Sequence, residues 1–413
     1  MSRRQGPDRP LLVVVALLVG FGLLVLYSAG QTDVPTNAAG AWLRQLVWIG
    51  AGILTAWIAF QTSPRMLEWA APWIYGFSLL LLLVTLVVGT GAGSAASSHS
   101  WLSIGGIRVG QPSEIAKLAT ILLLARYLSG LRQPPDNLRA LIIPCLIAGV
   151  PLLLVLAQPD LGSAIVFAGI LFSTLFWAGV RPSLLLLLAS PAVSLLLAVD
   201  TRLWGVWMVL LAILLVLWRS YATEGVLVYL VNSAMGVLAI VLWNRLKPYQ
   251  QKRFSTFLNP DADPAQAGYQ AIQSKVAVGS GGWLGNGYTR GPQKRLAFLP
   301  EQHTDFIFSV VGEELGFLGV IVALSLFFAL FLTLLRIARR AADPFGGLMV
   351  FGILGLFFTH VFENVGMTVN VMPITGIPLP FFSYGGSFLI ACFLSIGLVL
   401  RVAWESRIAG YGD

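Results

Sequence analysis

The sequence predicts an all-α polytopic integral membrane protein, a single domain over residues 1–413 with a bundle of about 10–12 transmembrane helices and one large extracytoplasmic loop. Composition is the first reason: 57% of the residues are hydrophobic, only 11% are charged, and the mean hydropathy is +0.82. So few charges cannot cover a water-soluble surface, and the bilayer must therefore be the solvent. The second reason is that the apolar residues fall into runs of about 20, the length that a spanning helix needs.

About twelve apolar runs predict the spanning helices. An even number returns both termini to one side, and the Lys and Arg residues of the short loops concentrate on that side, as cytoplasmic loops do. We therefore expect a multi-pass protein of the cytoplasmic membrane with both termini in the cytoplasm, and with residues 92–112 and 244–305 outside. The runs lie near 10–29, 41–61, 72–90, 113–130, 140–157, 161–179, 182–199, 202–219, 225–243, 306–336, 345–369 and 379–401.

Residues 244–305 form the one long hydrophilic insert, which carries eight Lys and Arg residues against four Asp and Glu residues. The formal net charge of +8 does not indicate nucleic acid, because the half of the excess that lies outside the insert is in short loops at the ends of apolar runs. Beside a membrane, the cations of the insert suit a pyrophosphate or a lipid head group. They are Arg245, Lys247, Lys252, Arg253, Lys275, Arg290, Lys294 and Arg295.

Within the insert, Tyr269, Ile272 and Val276 recur at helical spacing and predict a short amphipathic helix over about 265–278 at the membrane interface. Asp263 before Pro264 is typical of an N-cap followed by proline at the first helical position. A carboxylate fixed at a helix start in water also stays ionised, which suits a general base. The glycines of 279–287 are interpreted as flexible turns, or as a cradle of amides for phosphate oxygens.

A second group of polar residues lies at 101–117, where Glu114 and Lys117 share one face of a predicted spanning helix. Charges at that depth are functional by default, and the alternative is a structural ion pair. Asp160 either caps the next helix or reaches the same cavity. His360 and Glu363, three residues apart, favour an internal hydrogen bond over a metal site. The stretch 373–387, rich in Pro and Gly, predicts broken backbone that is buried or lines a cavity.

Six motifs, in this order, closely resemble the SEDS family of bacterial shape, elongation, division and sporulation proteins, and the likeness spans nearly the whole chain. Residues 293–303 are most similar to the RodA-like branch of that family, with the FtsW-like division branch as the alternative. The motifs are Gln111–Lys117, Gln158–Gly162, Leu246–Gln251, Asp263–Gln270, Phe298–Phe308 and Gly376–Ser387.

The resemblance implies a peptidoglycan glycosyltransferase that polymerises lipid II into glycan strands during cell elongation, outside the bacterial cytoplasmic membrane. It also implies a partner, a class B penicillin-binding protein that cross-links the product. The family's essential aspartate falls on Asp263, which would act as the catalytic base. The expected substrate-binding positions are Trp101, Arg108, Glu114, Lys117, Asp160, Ser274 and Lys275. No cofactor is required by the sequence; a divalent cation at the pyrophosphate is compatible with the chemistry, although no ligand cluster supports one.

The chain departs from the family in one respect, because the family has about ten spanning segments and the hydropathy predicts about twelve here. The excess lies at 202–243, a predicted extra pair that leaves the sidedness of the insert unchanged. Two functions of other classes compete with the enzyme. A lipid II flippase would use the many spans and the broken helix, and a scaffold would only recruit division or elongation partners.

Overall fold

The computed structural model describes residues 7–91, 100–104, 107–218, 222–245 and 268–410; the side chains of 104, 107–109, 222, 223 and 242–245 lie outside that description. Its helices and strands are α1 (Arg9–Ala29), α2 (Ala41–Gln61), α3 (Pro64–Val88), β1 (Leu102–Ile104), β2 (Ile107–Gly110), α4 (Pro112–Ser129), α5 (Ile142–Ala157), α6 (Leu161–Trp177), α7 (Pro182–Leu197), α8 (Thr201–Leu217), α9 (Ala222–Arg245), α10 (Tyr269–Ser280), α11 (Pro292–Arg295), α12 (Ile307–Arg339), α13 (Pro344–Thr368) and α14 (Gly386–Ile408).

The predicted multi-pass helical architecture is confirmed, since every predicted apolar run coincides with a helix. Within the described ranges, seven helices are long and apolar enough to cross a membrane, and four shorter apolar helices, α5 to α8, accompany them. The remaining run is α4, whose charged residues Glu114, Lys117 and Arg126 make it less apolar than the others. The all-α prediction missed one antiparallel hairpin, β1–β2. Strands of three and four residues are too short to give a periodic signal.

The centre of the bundle is formed by α13 and α14, with α4 and α6 packed against α13. Within the most apolar 18-residue stretch of each helix, 72% of the residues are buried in α13 and 67% in α14, but only 17% in α2 and 17% in α9. The peripheral helices therefore expose most of their apolar surface, as lipid-facing helices do. Central helices are where polar side chains can be kept away from lipid.

Asp8 is buried at one end of the bundle, which we call the Asp8 end. The Asp8 side chain is buried and caps α1 by accepting from the Leu11 amide at 3.0 Å. The same carboxylate pairs with Arg336 at 2.7 Å and with Arg407 at 2.6 Å. It therefore joins the start of α1 to the last turns of α12 and α14, where cations also suit the helix dipoles.

Helices α7, α8 and α9 form a peripheral unit held together by one buried amide. Asn232 is completely buried, and its Nδ2 donates to the Ser190 hydroxyl at 2.8 Å. Its Oδ1 accepts from the Trp207 indole at 3.3 Å. A Cβ on Gly236 would overlap the ring of Trp204, so α8 and α9 lie in close contact there. The predicted extra pair at 202–243 coincides with α8 and most of α9, and its status as an addition to the family stays a prediction.

The glycine-rich stretch 279–287 of the insert packs against a break in the helical backbone of α12. Gly316 has a φ of 61° inside α12, and the amide of Phe317 donates instead to the Gly282 carbonyl at 2.9 Å. A Cβ on Gly285 would lie 2.0 Å from the Glu314 carbonyl oxygen, so only glycine allows the two backbones to touch. Close packing on α12, rather than a flexible turn or a phosphate cradle, explains this glycine.

Candidate functional site

Three of the polar residues expected at the site, Glu114, Lys117 and Asp160, lie at the end of the bundle opposite Asp8, which we call the Lys117 end. It comprises the first turns of α4, α6 and α14, the last turns of α13, and the segments 301–306 and 373–385. Pro112 occupies the first turn of α4, where its missing amide hydrogen costs nothing. The Glu114 and Lys117 side chains of that helix therefore begin within about two turns of its start.

Lys117 is the best-fixed charge at this end. Its side chain is completely buried, and Nζ donates to Glu114 Oε1 at 2.8 Å. Nζ also lies 3.1 Å from His360 Nε2 on α13, and 5.8 Å from the centre of the Phe388 ring on α14. The ion pair predicted from the sequence is therefore present, and it joins three central helices. Because Lys117 has no exposed surface in this state, any contact with a bound molecule would need a neighbour to move.

Asp160 lies beside the first turn of α4. One carboxylate oxygen accepts from the Ser163 amide at 3.0 Å and so caps α6, and the other accepts from Gln111 Nε2 at 2.9 Å. The half-buried side chain therefore caps its helix and also contacts the Gln111 motif. The two interpretations offered by the sequence are compatible, because one oxygen serves each contact.

The Pro- and Gly-rich segment between α13 and α14 has no regular helix and is pinned by hydrogen bonds, as the sequence predicted. Asn364 Nδ2 donates to the Ile377 carbonyl at 2.7 Å and to the Asp305 carbonyl at 2.8 Å. The Tyr384 amide donates to the His303 carbonyl at 2.9 Å. The broken segment and the last residues of the insert thus form one surface over the Lys117 end.

Asp305 is a titratable group that the sequence analysis counted only as a charge of the insert. Its carboxylate lies against Gly376, where a Cβ would come within 3.3 Å of Oδ2. Burial raises the pKa of Asp305 to about 7, with smaller contributions in the same direction from Glu301 and Asp160 and an opposing hydrogen bond from Thr304. A carboxyl group with a pKa near neutrality can both accept and release a proton. The motif Phe298–Phe308 contains Asp305, but the burial of its carboxyl group against Gly376 depends on the fold and could not be predicted from local sequence.

Glu363 is the second group at this end that sequence reasoning did not place among the site residues. It is completely buried on α13, one turn from His360, and neither carboxylate oxygen makes a regular hydrogen bond within the described residues. The buried Thr375 hydroxyl lies close enough to act on this carboxyl group as a hydrogen-bond donor, although outside regular hydrogen-bond geometry. His360 makes internal hydrogen bonds, as the sequence favoured, and its partners are Lys117 and the Pro378 carbonyl rather than Glu363.

The remaining predicted site residues lie around this centre or outside the description. Trp101 is half-buried and its backbone pairs with Thr90 in an isolated bridge. Arg108 lies on β2 opposite Ser103, and its side chain is not described. Asp263, the predicted catalytic residue, falls in the segment 246–267, outside the described residues. The structure therefore neither supports nor opposes its role.

Helix α10 packs on the bundle through its small side chains. The described helix begins at Tyr269 with Gly268 as its N-cap. The predicted start near 265 and the predicted cap by Asp263 fall in the segment 246–267, outside the described residues. The buried residues of α10 are Ala271, Ser274 and Ala277 rather than the larger apolar ones. Small side chains let α10 pack closely on α12 and α13, and they leave Val276 on the exposed face. Contact of that face with the membrane interface stays a prediction.

The two neighbouring substrate-binding candidates on α10 point in different directions. Ser274 is completely buried, and its hydroxyl lies 2.7 Å from both the Ser309 hydroxyl and the Thr368 carbonyl. Lys275 is exposed. In this state Ser274 therefore ties α10 to α12 and α13, and only Lys275 is available to a ligand from water.

Two other cations of the insert are already paired. Lys294 is buried and lies 2.7 Å from Glu314, whereas Arg295 is half-exposed and lies 3.0 Å from Asp33. The expectation that Lys294 binds a head group or pyrophosphate is not met in this state, because Lys294, like Lys117, is buried beside a glutamate and a neighbour would have to move before it could contact a ligand. Among the described residues no group of three His, Cys, Asp or Glu side chains could hold a metal ion.

Comparison with known proteins identifies the fold and family. A family model described as a cell cycle protein (FtsW/RodA/SpoVE) matches residues 9–204 and 192–408. The chain is 37% identical over 392 residues to the peptidoglycan glycosyltransferase MrdB of Escherichia coli (strain K12), covering 95% of this chain and 92% of that protein. It is 35% identical over 424 residues to the peptidoglycan glycosyltransferase RodA of Treponema pallidum, covering 96% and 97%.

Two solved structures share the architecture. A chain of the structure described as “Structural coordination of polymerization and crosslinking by a peptidoglycan synthase complex” superposes with a TM-score of 0.72 at 31% identity, covering 96% of this chain and 97% of that one. The rod shape determining protein RodA of Thermus thermophilus gives a TM-score of 0.62 at 29% identity, covering 97% of each. These matches span the whole bundle, so this chain belongs to the FtsW/RodA/SpoVE family of multi-pass membrane proteins.

Proposed function

We propose that this protein is a peptidoglycan glycosyltransferase that polymerises lipid II into glycan strands during cell elongation. The observation that carries the proposal is identity of 37% over 95% of the chain to a protein of that activity. The arrangement of the Lys117 end agrees with it, because buried charges in a membrane bundle cost free energy and are kept where they are used. The Lys117 end and the insert then face outward, and both termini are cytoplasmic.

The proposed reaction is an inverting sugar transfer with Asp263 as the general base. Asp263 takes the proton of the acceptor sugar hydroxyl while that oxygen attacks the anomeric carbon of the donor. The bond to the lipid pyrophosphate breaks, and the pyrophosphate leaves as a stable anion, so no strong general acid is needed. Lys117, Lys275 and Arg108 are the proposed cations that offset the negative charge on the leaving group. A divalent cation at the pyrophosphate remains compatible with this reaction, and no step depends on it.

The proposed partner is a class B penicillin-binding protein that cross-links the new strand. Support comes from the solved complex with a TM-score of 0.72, which is described as coordinating polymerization and crosslinking. We further propose that α8 and most of α9 are the pair added to the family's bundle. Support comes from the count of about twelve apolar runs against about ten spanning segments in the family; the second stretch of the family match, residues 192–408, runs through both helices.

The test is polymer formation from lipid II in detergent by the purified chain, alone and with its partner. Asp263→Asn should lower the rate by about 10²–10⁴, the range of general-base assistance. Asp261→Asn is the matched control, since it makes the same change of charge two residues away and should retain activity. Near-normal polymer from Asp263→Asn would reject the catalytic assignment. Absence of polymer from the parent protein, with lipid II moved across a bilayer instead, would favour the flippase.

A further inference from the structure

His360 makes two contacts that together define its protonation. Its Nδ1 lies 3.1 Å from the Pro378 carbonyl oxygen, and its Nε2 lies 3.1 Å from Lys117 Nζ. A carbonyl oxygen can only accept, so Nδ1 carries the hydrogen. An ammonium can only donate, so Nε2 must offer its lone pair. The geometry therefore requires a neutral imidazole with its hydrogen on Nδ1, because a doubly protonated ring would direct an N–H at the lysine.

The ring plane is fixed as well as the tautomer. His360 is completely buried and stacks on Phe388, with the ring centres 4.7 Å apart and the planes 28° from parallel. Lys117 Nζ lies over the same Phe388 ring at 5.8 Å. The imidazole is thus held on one face by an aromatic ring and at both nitrogens by hydrogen bonds. A side chain restrained in this way can hold the ammonium group in one place.

His360 also connects two parts of the Lys117 end that are distant in sequence. Lys117 belongs to the first turns of α4, whereas Pro378 lies in the broken segment 373–385. The segment itself is tied to the end of the insert through Asn364, which bonds both Ile377 and Asp305. A shift of this segment would therefore move the imidazole and change its hydrogen bond to Lys117 Nζ.

We propose that His360 is a positioning residue for Lys117: as the Nδ1–H tautomer, it accepts a hydrogen bond from the ammonium and links that group to the Pro378 carbonyl. This inference rests on the proposed function for its catalytic consequence, because Lys117 is one of the proposed cations. The structural part concerns only His360, Lys117 and Pro378, and it is testable without any enzymatic assay.

Two conservative variants separate the contact with Lys117 from the contact with Pro378. Asn places its amide near the position of Nδ1 and keeps only the bond to Pro378, whereas Gln reaches the position of Nε2. His360→Asn should lower kcat for lipid II polymerisation by about 10- to 100-fold, the range for hydrogen bonds to charged groups. KM should change by less than about three-fold, because the lost interaction acts mainly on the leaving group in the transition state. His360→Gln should recover most of kcat.

Thr359→Val is the matched control, since Thr359 is the next residue on α13 and its hydroxyl bonds only its own helix, to the Gly355 carbonyl. It should keep the parent kcat. Thermal unfolding of all three variants shows whether folding differs between them. Equal activity of His360→Asn and His360→Gln, at equal thermal stability, would overturn the positioning role.

The second measurement reports the tautomer directly. The chain has three histidines, so ¹⁵N-histidine labelling in lipid nanodiscs gives few signals, and His360→Gln identifies the one that belongs to His360. A neutral ring with hydrogen on Nδ1 is expected, and Lys117→Met should shift the Nε2 resonance. Hydrogen on Nε2, a doubly protonated ring, or no response to Lys117→Met would overturn the inference. If the parent chain made no polymer, the proposed function would fail while this measurement still decided the geometry.

Discussion

The two ends of the bundle each bury charged groups, but they do so in opposite ways. At the Asp8 end a single acid is paired with two arginines, whose side chains are still 37% and 27% exposed. At the Lys117 end one completely buried lysine is paired with Glu114, and the carboxyl groups of Asp160, Asp305 and Glu363 lie at the same end; all four acids are buried or half-buried. Glu363 makes no regular hydrogen bond with any described residue.

The difference separates a structural cluster from a functional one. The arginines at the Asp8 end reach water, so their desolvation costs little, and they need only hold helix ends together. The Lys117 end keeps the Glu363 carboxyl group completely buried with only the Thr375 hydroxyl as a hydrogen-bond neighbour among the described residues, and burying a carboxyl group with so few partners costs free energy. Such an arrangement is expected at a site that binds or transforms a ligand. Three substitutions test this contrast, in order of decreasing effect on stability.

Lys117→Met should be the most destabilising change. Removing the ammonium leaves the buried Glu114 carboxylate without its partner, which costs about 3–5 kcal/mol. Adding Glu114→Gln should restore most of the free energy of unfolding, because no buried charge of the pair then remains. The double variant should still fail to polymerise lipid II. Thermal unfolding in detergent and the polymerisation assay give the two readouts, and a double variant as unstable as the single one would argue against the pair.

Asp305→Asn should change the pH dependence of stability. The folded-state pKa is raised to about 7 from 3.8, so the folded protein holds this proton more tightly than the unfolded chain. The free energy of unfolding of the parent protein therefore falls as the pH rises from about 4 to about 7, and it is constant above pH 7. At pH 8 the Asn variant should be more stable than the parent by about 2–3 kcal/mol. This is less than the sum of about 1.36 kcal/mol for each unit of pKa shift, because Asp305 is partly exposed and solvent screens its charge. At pH 4 the two proteins should be equal, and a gap that does not vary with pH would contradict this.

Asp8→Asn should have the smallest effect and leave activity unchanged. Asn still caps α1, so the change isolates the two arginine pairs, which are worth about 1–2 kcal/mol because the arginines are partly exposed. Asp33→Asn is the control, since its pair with Arg295 is about half-exposed on both sides and should contribute less. Loss of polymerisation in folded Asp8→Asn would remove the proposed contrast between the two ends.

Much of the fold and part of the candidate site could be predicted from local sequence. The spanning helices follow from runs of apolar residues, and the Glu114–Lys117 pair follows from spacing on one helix. The cap by Asp160 is local as well, because the residue it caps is three positions away. The broken backbone before α14 was evident from its prolines and glycines. Each of these features depends on residues within about one or two turns of each other.

The errors all came from contacts between distant segments. The amphipathic pattern of 265–278 did not predict that α10 packs on α12 and α13 through small residues. Lys294 was expected to meet a ligand, but it is buried against Glu314. The contact of His360 with Lys117 joins residues 243 positions apart, which no spacing rule reaches.

The sequence by itself determined that this is a multi-pass helical protein, where its helices lie and which family it resembles, since hydropathy and motifs are read over short windows. Only the tertiary structure decided which charges are paired, which are unsatisfied and which histidine nitrogen carries the hydrogen. The physical reason is that desolvation and hydrogen-bond geometry depend on what surrounds a group in space. Four helices and a broken segment supply those surroundings at the Lys117 end, and they come together only when the chain folds.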